Sequence, residues 1–385
     1  MSNNYSNYEE ELLNLLQKAV RIKSINPPGN ELEMCNLVYD YMTKLDIETY
    51  KIEVEENRYD IISILRSNTN NPGIIFTGHM DVVPVSEDES TRWEVAPFSG
   101  IIKDGFLYGR GASDMKSGLC SIMVAMRYIK ENNLPINRDI ALVATVDEED
   151  SMKGSKALVG HKLLENFREV VVCEPTNMEI CNVGRGRTYG VIDIKGKTGH
   201  GSQLSVDKNA ILIANKIINK MGETDLSDKA HKTYGSSFWQ PLAIHASVDP
   251  WVVPDDCELK IDARLVPNHF SDDIWHRIDK ILTEVKAEVP SMQAIVTILD
   301  RREPWITDEN TELMQNIKNI YQSLDYEYIT QDFKGTTDGT ILRKDGRDVV
   351  IVGPGLLAGV HKENEKVLIK NLFRALRLYS ELMQK

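Results

Sequence analysis

Short apolar runs alternate along the chain with segments of helical periodicity, and this alternation limits the possible folds most strongly. The runs 73–78, 139–146 and 169–174 are almost entirely apolar, whereas the segment 115–132 repeats apolar residues three and four positions apart. Strands without a polar face must be covered on both sides, which is typical of a parallel or mixed sheet between helices. We therefore predict an α/β domain built on a mixed sheet.

The pattern changes near residue 182, where strand-like segments begin to alternate between apolar and polar residues. Strands with one apolar face, each followed by an amphipathic helix, predict a small α+β domain with its own sheet. A length of 385 residues also favours two domains. We expect this α+β domain at 182–293, inserted into an α/β domain at 1–181 and 294–385. The segments that predict it are 187–197, 207–221, 256–267 and 271–285.

The charge of the chain narrows its possible partners. It has 58 acidic and 45 basic residues and a formal net charge of −13. Nucleic-acid binding needs a basic surface, so we expect no nucleic-acid partner, and the acidic excess suits either a cation site or solubility alone. No apolar run reaches about 18 residues, so we expect no membrane partner either.

The cysteines and the N-terminal segment predict a reducing, cytoplasmic location. The cysteines are odd in number, scattered and without a CxxC pair, which does not fit a disulfide framework. The first residues lack the basic and apolar regions of a signal peptide. The cysteines are Cys35, Cys120, Cys173, Cys181 and Cys257.

Polar residues stand where predicted strands end or helices begin. In GHMDVVP (78–84), His79 ends a predicted strand and Asp81 follows on the same face. A metal-binding histidine usually donates its other ring N–H to a carboxylate, for which Asp81 is a candidate; a polar strand end before a turn is the alternative. In GRGASDMKSG (109–118), Asp114 precedes a helix, where it would either cap that helix or face a cation.

Further acidic residues follow the next two strands. The four acids at 147–150 would form a solvated loop or a site, and within them Glu148 and Glu149 suit two tasks, metal ligation and proton transfer. Glu174 ends an apolar run, where a carboxylate is not expected to be buried unpaired. His361 precedes the last predicted helix and, alone, would be structural. Together these residues predict a two-metal hydrolytic site at the strand ends, with ligands that suit zinc.

These motifs resemble those of the two-zinc amidohydrolases, which include acetylornithine deacetylase, succinyl-diaminopimelate desuccinylase, aminoacylase and the glutamate-releasing carboxypeptidases. The matching stretches follow the family's order over nearly the whole chain. They are GHMDVVP, GRGASDMKSG, VDEED, CEPT, KGKTGHGS, DARLVP, GTTDG and GPG…HKENE. The resemblance implies two zinc ions, with cobalt or manganese as substitutes, and a catalytic domain interrupted by a lid that commonly forms a homodimer.

The resemblance also implies a role for each matched residue. For the metals these are Asp114 as the bridging ligand, His79 and Glu174 at one ion, and Glu149 and His361 at the other. For catalysis they are Asp81 orienting His79, Glu148 as the general base, and His200 of the lid reaching the partner subunit's active site to stabilise the oxyanion. For the substrate they are Arg264, which would hold a carboxylate, and Gly355, which would contact the substrate backbone.

One position departs from the family's pattern. Trp251, in DPWVVPD, stands where many relatives carry Asn, and would either line a pocket for a bulkier substrate or pack in the lid or the dimer interface. The expected activity is removal of an acetyl or succinyl group from an N-acyl amino acid. A dipeptidase or carboxypeptidase acting on short peptides is the alternative. A non-catalytic binding protein is disfavoured because every matched position holds a competent residue.

Overall fold

The structure, a computed structural model, describes residues 5–202, 209–246 and 251–385. The start of the predicted helix 207–221 and part of the DPWVVPD motif lie outside these residues. No helix within the described ranges is long and apolar enough to cross a membrane. The helices are α1 Ser6–Arg21, α2 Leu32–Lys44, α3 Glu87–Ser90, α4 Lys116–Glu131, α5 Lys153–Ala157, α6 Ala210–Glu223, α7 Ser271–Glu288, α8 Glu312–Ser323, α9 Asp338–Leu342 and α10 Ile369–Leu382.

The strands vary from two-residue ladders to strands of ten residues. They are β1 Glu48–Glu55, β2 Arg58–Leu65, β3 Gly73–His79, β4 Ile102–Lys103, β5 Phe106–Tyr108, β6 Ile140–Thr145, β7 Phe167–Val172, β8 Ile180–Gly184, β9 Gly186–Lys195, β10 Gly199–His200, β11 Phe238–Ala246, β12 Val252–Val253, β13 Asp256–Leu265, β14 Gln293–Arg302, β15 Trp305–Ile306, β16 Thr330–Phe333, β17 Asp348–Ile351 and β18 Lys366–Leu368.

The chain divides into two compact units. Unit 1 contains the chain through Asn182 together with Thr307–Phe333 and Thr337–Lys385, and unit 2 contains Val183–Ile306 and Lys334–Thr336. The sequence led us to expect the return to the first domain at residue 294. That boundary falls too early, because β14 pairs along its length with β9 in the sheet of unit 2.

Unit 1 is built on a mixed sheet in the order β1-β2-β6-β3-β7-β17-β8. The four strands in its centre, β6, β3, β7 and β17, are mutually parallel, so their carboxyl ends meet at one edge. Every residue of β3 and β6 is buried, as expected for strands covered on both faces. Helix α4 contacts β3 on one face and packs against α1 and α10, which completes the main apolar core.

The last helix begins later than the sequence indicates. The predicted segment 364–383 starts with β18, which pairs with β5, and α10 begins only at Ile369. His361 therefore precedes a short strand and not a helix. The change is local, and the amphipathic face of α10 still buries residues such as Leu372 and Leu376 in the core.

Unit 2 is an α+β layer structure with an antiparallel sheet in the order β11-β13-β9-β14. One face of this sheet packs against α6 and α7 around Ile192, Leu259 and Ile278. Strand β11 lies at the edge of the sheet and exposes several apolar side chains. A separate two-stranded ladder joins β10 to β12. These one-faced strands account for the alternating sequence pattern of this part of the chain.

Candidate active site

The parallel strands of unit 1 bring the predicted site residues to one edge of the sheet. His79 is the last residue of β3, the acidic segment 147–150 follows β6, and Glu174 follows β7. In open α/β sheets, sites form outside the carboxyl ends of the strands, because side chains there are held by the sheet but are no longer enclosed by it. The strand register therefore gathers residues that are far apart in sequence.

His79 is buried and its ring is fixed by a backbone group. Its Nδ1 lies 2.9 Å from the carbonyl oxygen of Asp81 and 3.5 Å from that residue's Oδ1, so the nearer partner is the backbone and not the carboxylate. A proton on Nδ1 leaves Nε2 as the ligating atom. This Nε2 lies 3.1 Å from Oδ1 of Asp114 and 3.6 Å from Oε1 of Glu174.

Asp114 lies between the two histidines of the site. Its Oδ1 faces His79, and its Oδ2 lies 3.3 Å from Nε2 of His361. The sequence left open whether this carboxylate caps α4. It does not, because Met115 occupies the N-cap position and no side chain caps the helix there. A carboxylate with one oxygen toward each imidazole has the arrangement of a bridging ligand.

Glu149 and His361 form the outer side of the site. Nε2 of His361 lies 3.0 Å from Oε2 of Glu149, and the histidine ring is half exposed. Hydrogen bonds to Asp114 and Glu149 raise the pKa of His361 to about 10. That shift expresses how strongly these two carboxylates attract positive charge at this position.

Glu148 points to a different part of the site than its neighbour. It is buried, and within the described residues its Oε1 has no hydrogen-bond partner. Burial raises the pKa of Glu148 well above its usual range, and the nearby carboxylates of Asp338, Glu149 and Asp114 raise it further while His79 lowers it. A buried carboxylate that is not committed to a partner is available for proton transfer.

The side chain of Asp81 holds the turn that carries both glutamates. Its Oδ1 accepts the backbone N–H of Glu148 at 3.2 Å, and its Oδ2 accepts that of Glu149 at 3.1 Å. Asn26 also donates its side-chain N–H to Oδ2, at 2.9 Å. The sequence singled out Asp81 but not Asn26, which lies in the turn NPPGN and offers no periodic or motif signal of its own.

A second residue that the sequence analysis missed is Glu365, the last residue of the HKENE stretch. Its Oε1 accepts the backbone N–H groups of Ser113 and Asp114, at 2.9 and 3.1 Å. Its Oε2 accepts a bond of 2.7 Å from Nη1 of Arg110, which is also buried. Burial raises the pKa of Glu365 to about 7, against the lowering effect of Arg110. This pair fixes the loop that presents Asp114.

Gly355 packs directly against the same loop. A Cβ atom at this position would lie 2.2 Å from the carbonyl oxygen of Ser113 and 2.7 Å from Cβ of Pro175. Because a backbone atom is the obstacle, only glycine fits without moving the chain. The structure thus places Gly355 next to the loop of Asp114; it does not test the predicted contact with substrate.

The other predicted site residues belong to unit 2. His200 is exposed at the end of β10, and its Nδ1 lies 2.8 Å from Oγ of Ser202. Arg264 is one-third exposed and donates from Nε to Oδ2 of Asp262 at 2.8 Å. Trp251 is 80% exposed. Its carbonyl oxygen accepts the N–H of Gly201, so it is adjacent to His200 in the ladder.

The ligand atoms at the strand ends fit a pair of divalent cations. In the described residues, two groups have ligand atoms that all lie within 4.8 Å of one another: His79, Asp114 and Glu149, and His79, Glu148 and Glu174. Burial and repulsion from Asp114 raise the pKa of Glu149 and of Glu174. Buried carboxylates gathered in this way need compensating positive charge, which metal ions would supply.

Comparison with known proteins identifies the family of this chain. The family model described as Peptidase family M20/M25/M40 matches residues 75–385. A protein described as a probable succinyl-diaminopimelate desuccinylase from Staphylococcus aureus strain Mu50 is 28% identical over 398 residues, with 94% of this chain and 96% of that protein covered.

Solved structures of the same fold cover almost the entire chain. The aminopeptidase PepT from Bacillus cereus has a TM-score of 0.79 at 21% identity, with 98% of each chain covered. The YXEP protein from Bacillus subtilis, described as a dinuclear metal binding peptidase of the M20 family, has a TM-score of 0.76 at 14% identity, also with 98% coverage of each chain. Since the family model covers most of the sequence, the chain belongs to Peptidase family M20/M25/M40 and is a metal-dependent amidohydrolase.

Proposed function

We propose that this enzyme removes an acyl group of the acetyl or succinyl type from an N-acyl amino acid. The observation that carries the proposal is the position of Asp114 between His79 and His361, with the uncommitted carboxylate of Glu148 beside them. The similarity to a desuccinylase over nearly the full length of both proteins supports the choice of acyl group.

Two zinc ions fit the donor set, and cobalt or manganese would be substitutes. On the family's pattern, His79 and Glu174 would hold one ion, Glu149 and His361 the other, and Asp114 both; Glu174 lies near His79, and Glu149 near His361. Imidazole and carboxylate donors suit these metals. Bound metal supplies Lewis acidity, which lowers the pKa of water and polarises a carbonyl group.

Glu148 is the proposed general base. Its Oε1 is buried and without a partner in the described part of the chain, so it can accept a proton from the attacking water. The same oxygen would then return that proton to the nitrogen of the leaving amine. Asp81 contributes by holding the backbone on which Glu148 stands.

Unit 2 provides the proposed groups that bind substrate. Nδ1 of His200 is engaged by Ser202, which leaves Nε2 to stabilise the oxyanion of the tetrahedral intermediate. Arg264, anchored through Nε, would bind the substrate carboxylate through its terminal nitrogens. For Trp251, which is largely exposed, we propose contact with the acyl group of the substrate, with packing in the lid or the dimer interface as the alternative.

A homodimer through unit 2 is proposed as the working assembly, with His200 acting in the partner subunit's site. Strand β11 supports this assembly because, in the described part of the chain, it lies at an edge of the sheet, and its side chains Phe238, Leu242 and Ile244 are exposed. Mixing a His200→Ala variant with a Glu148→Ala variant tests it. Recovery of activity in the mixed dimers supports sharing across subunits, and confirmed mixed dimers without activity would refute it.

A peptidase acting on dipeptides or on peptide C-termini is the second candidate. The partly exposed guanidinium of Arg264 suits a peptidase as well as a deacylase. The C-terminal carboxylate of a peptide has the same chemistry as the carboxylate of an acyl amino acid. We also propose a cytoplasmic location, since the five cysteines are free and buried.

A substrate panel distinguishes the two activities. Amine release is measured from N-succinyl and N-acetyl amino acids and from dipeptides, with zinc or cobalt added and with a chelator as the control. The proposal predicts metal-dependent release from the acyl amino acids. Release from dipeptides alone would assign the protein to the peptidases, and the proposed deacylase activity would be wrong.

A further inference from the structure

Asn26 makes two side-chain hydrogen bonds beneath the candidate active site. Its Nδ2 donates to Oδ2 of Asp81 at 2.9 Å and to Oδ1 of Asp147 at 3.2 Å. The residue is buried, with 2% of its surface exposed. Its backbone N–H donates to the carbonyl oxygen of Val82 at 2.9 Å, which holds the main chain that carries this side chain. One amide group therefore satisfies two buried carboxylates.

Both carboxylates belong to, or contact, the turn that carries Glu148 and Glu149. Asp81 accepts the backbone N–H groups of Glu148 and Glu149. Asp147 immediately precedes Glu148 and has a φ of 66°, a left-handed conformation that is costly for a residue with a side chain. Such a conformation persists only where surrounding contacts hold it. The direction of Glu148 thus depends on contacts to both aspartates.

Arg58 pairs with Asp147, whereas Asp81 lies beside the ring of His79, whose Nδ1 is 3.5 Å from Oδ1 of Asp81. Nη2 of Arg58 donates to Oδ1 of Asp147 at 2.9 Å, and Nε of Arg58 donates to Oε2 of Glu31 at 3.0 Å. All three side chains are almost fully buried. Asp81 and Asp147 would repel each other across the gap between them, and the Asn26 amide is the donor that occupies this gap.

We infer that Asn26 is a positioning residue for Glu148 and Glu149. It acts through Asp81 and Asp147 and makes no contact with substrate in this role. Partners of this kind typically change metal affinity or activity by about 10- to 100-fold when they are removed. The inference rests on the proposed function, because it assumes that Glu148 transfers protons and Glu149 binds metal.

Two substitutions separate positioning from simple space filling. Asn26→Ala removes both donors, and Asn26→Asp keeps the shape but replaces the donor group with acceptors that face two carboxylates. If Asn26 is a positioning residue, Asn26→Ala should lower kcat by about 30-fold and change KM by less than about threefold. Asn26→Asp should then be no more active than Asn26→Ala. If Asn26→Asp kept more than half of the wild-type kcat, the inference would be wrong.

A stability control and a metal titration complete the experiment. Ile317→Val removes one methylene from the buried face of α8 and serves as the control for lost stability alone, with kcat expected to stay at the wild-type value. Competition with a chelator should show zinc affinity about tenfold weaker in Asn26→Ala than in Ile317→Val. Equal zinc affinity and equal kcat in these two variants would overturn the inference. Since the titration needs no substrate, it stands even if the proposed deacylase activity fails.

Discussion

Glu148→Gln should make this enzyme more stable while removing most of its turnover. The glutamate is buried among other carboxylates, and its Oε1 has no partner in the described residues. An amide of the same shape carries no charge, and its N–H groups would find acceptors among those carboxylates. The substitution therefore removes an electrostatic cost from the folded state at the same time as it removes the proposed base.

The size of both effects follows from the environment of this side chain. An unsatisfied buried polar group costs about 1–3 kcal/mol, and more when it is charged, so the metal-free protein should gain about 1–3 kcal/mol in its free energy of unfolding. General base catalysis contributes about 10²- to 10⁴-fold, so kcat should fall by about 10³-fold. A gain in stability with a loss of activity is typical of a strained catalytic group.

The assay compares Glu148→Gln with a matched substitution, Glu169→Gln. Glu169 is also buried but forms an ion pair of 2.5 Å with Arg138, so its replacement should lower stability and leave kcat unchanged. Thermal unfolding is followed in chelator, and turnover is followed with zinc. A Glu148→Gln protein that melts below the wild type, or that keeps near-normal turnover, would refute the reasoning.

Three further changes give expected outcomes. In Gly355→Ala, the added Cβ would lie 2.2 Å from the Ser113 carbonyl oxygen. The free energy of unfolding should therefore fall by at least about 1–3 kcal/mol, and kcat/KM should fall by more than tenfold. An unchanged melting temperature and unchanged kinetics would contradict this packing. Burial, with Arg277 and Lys229 nearby, lowers the pKa of His269, and the opposing effects of Asp273 and Asp228 do not reverse the shift. At His269, therefore, the unfolded state binds more protons than the folded state as pH falls through about 6.5. As the pH falls, the free energy of unfolding measured in urea should therefore decrease relative to that of His269→Leu, by up to about 1.4 kcal/mol per pH unit; equal slopes in the two proteins would contradict this. Trp251→Ala should raise KM for acyl amino acids with little change in kcat if the ring contacts the acyl group, whereas a dissociated dimer seen by light scattering would assign it to the interface.

Much of the site follows from the sequence because strand ends are visible in it. The apolar runs before His79, Glu148 and Glu174 predict parallel strands, and parallel strands bring their carboxyl ends together. The same pattern does not fix side-chain direction. The sequence left Asp114 as either a helix cap or a cation ligand, and only the fold places its two oxygens toward the two histidines.

Other features depend on contacts that no local pattern encodes. Asn26 lies in a turn, and its proposed role depends on a hydrogen bond to Asp81, which lies at the sheet edge more than fifty residues away in sequence. The boundary at 294 was wrong for a different reason. The segment 293–302 alternates between exposed and half-buried residues, as a one-faced strand does. This alternation is typical of the strands of unit 2 and not of the fully buried strands of unit 1.

Titration of the metal-free enzyme with zinc, with amine release from an N-succinyl amino acid measured at each addition, tests the central claim most directly. The arrangement of His79, Asp114, Glu149, Glu174 and His361 predicts that bound zinc rises to two ions per chain and that full activity appears with them. Full activity in chelator, or no amine release from any acyl amino acid at two zinc ions per chain, would contradict the account.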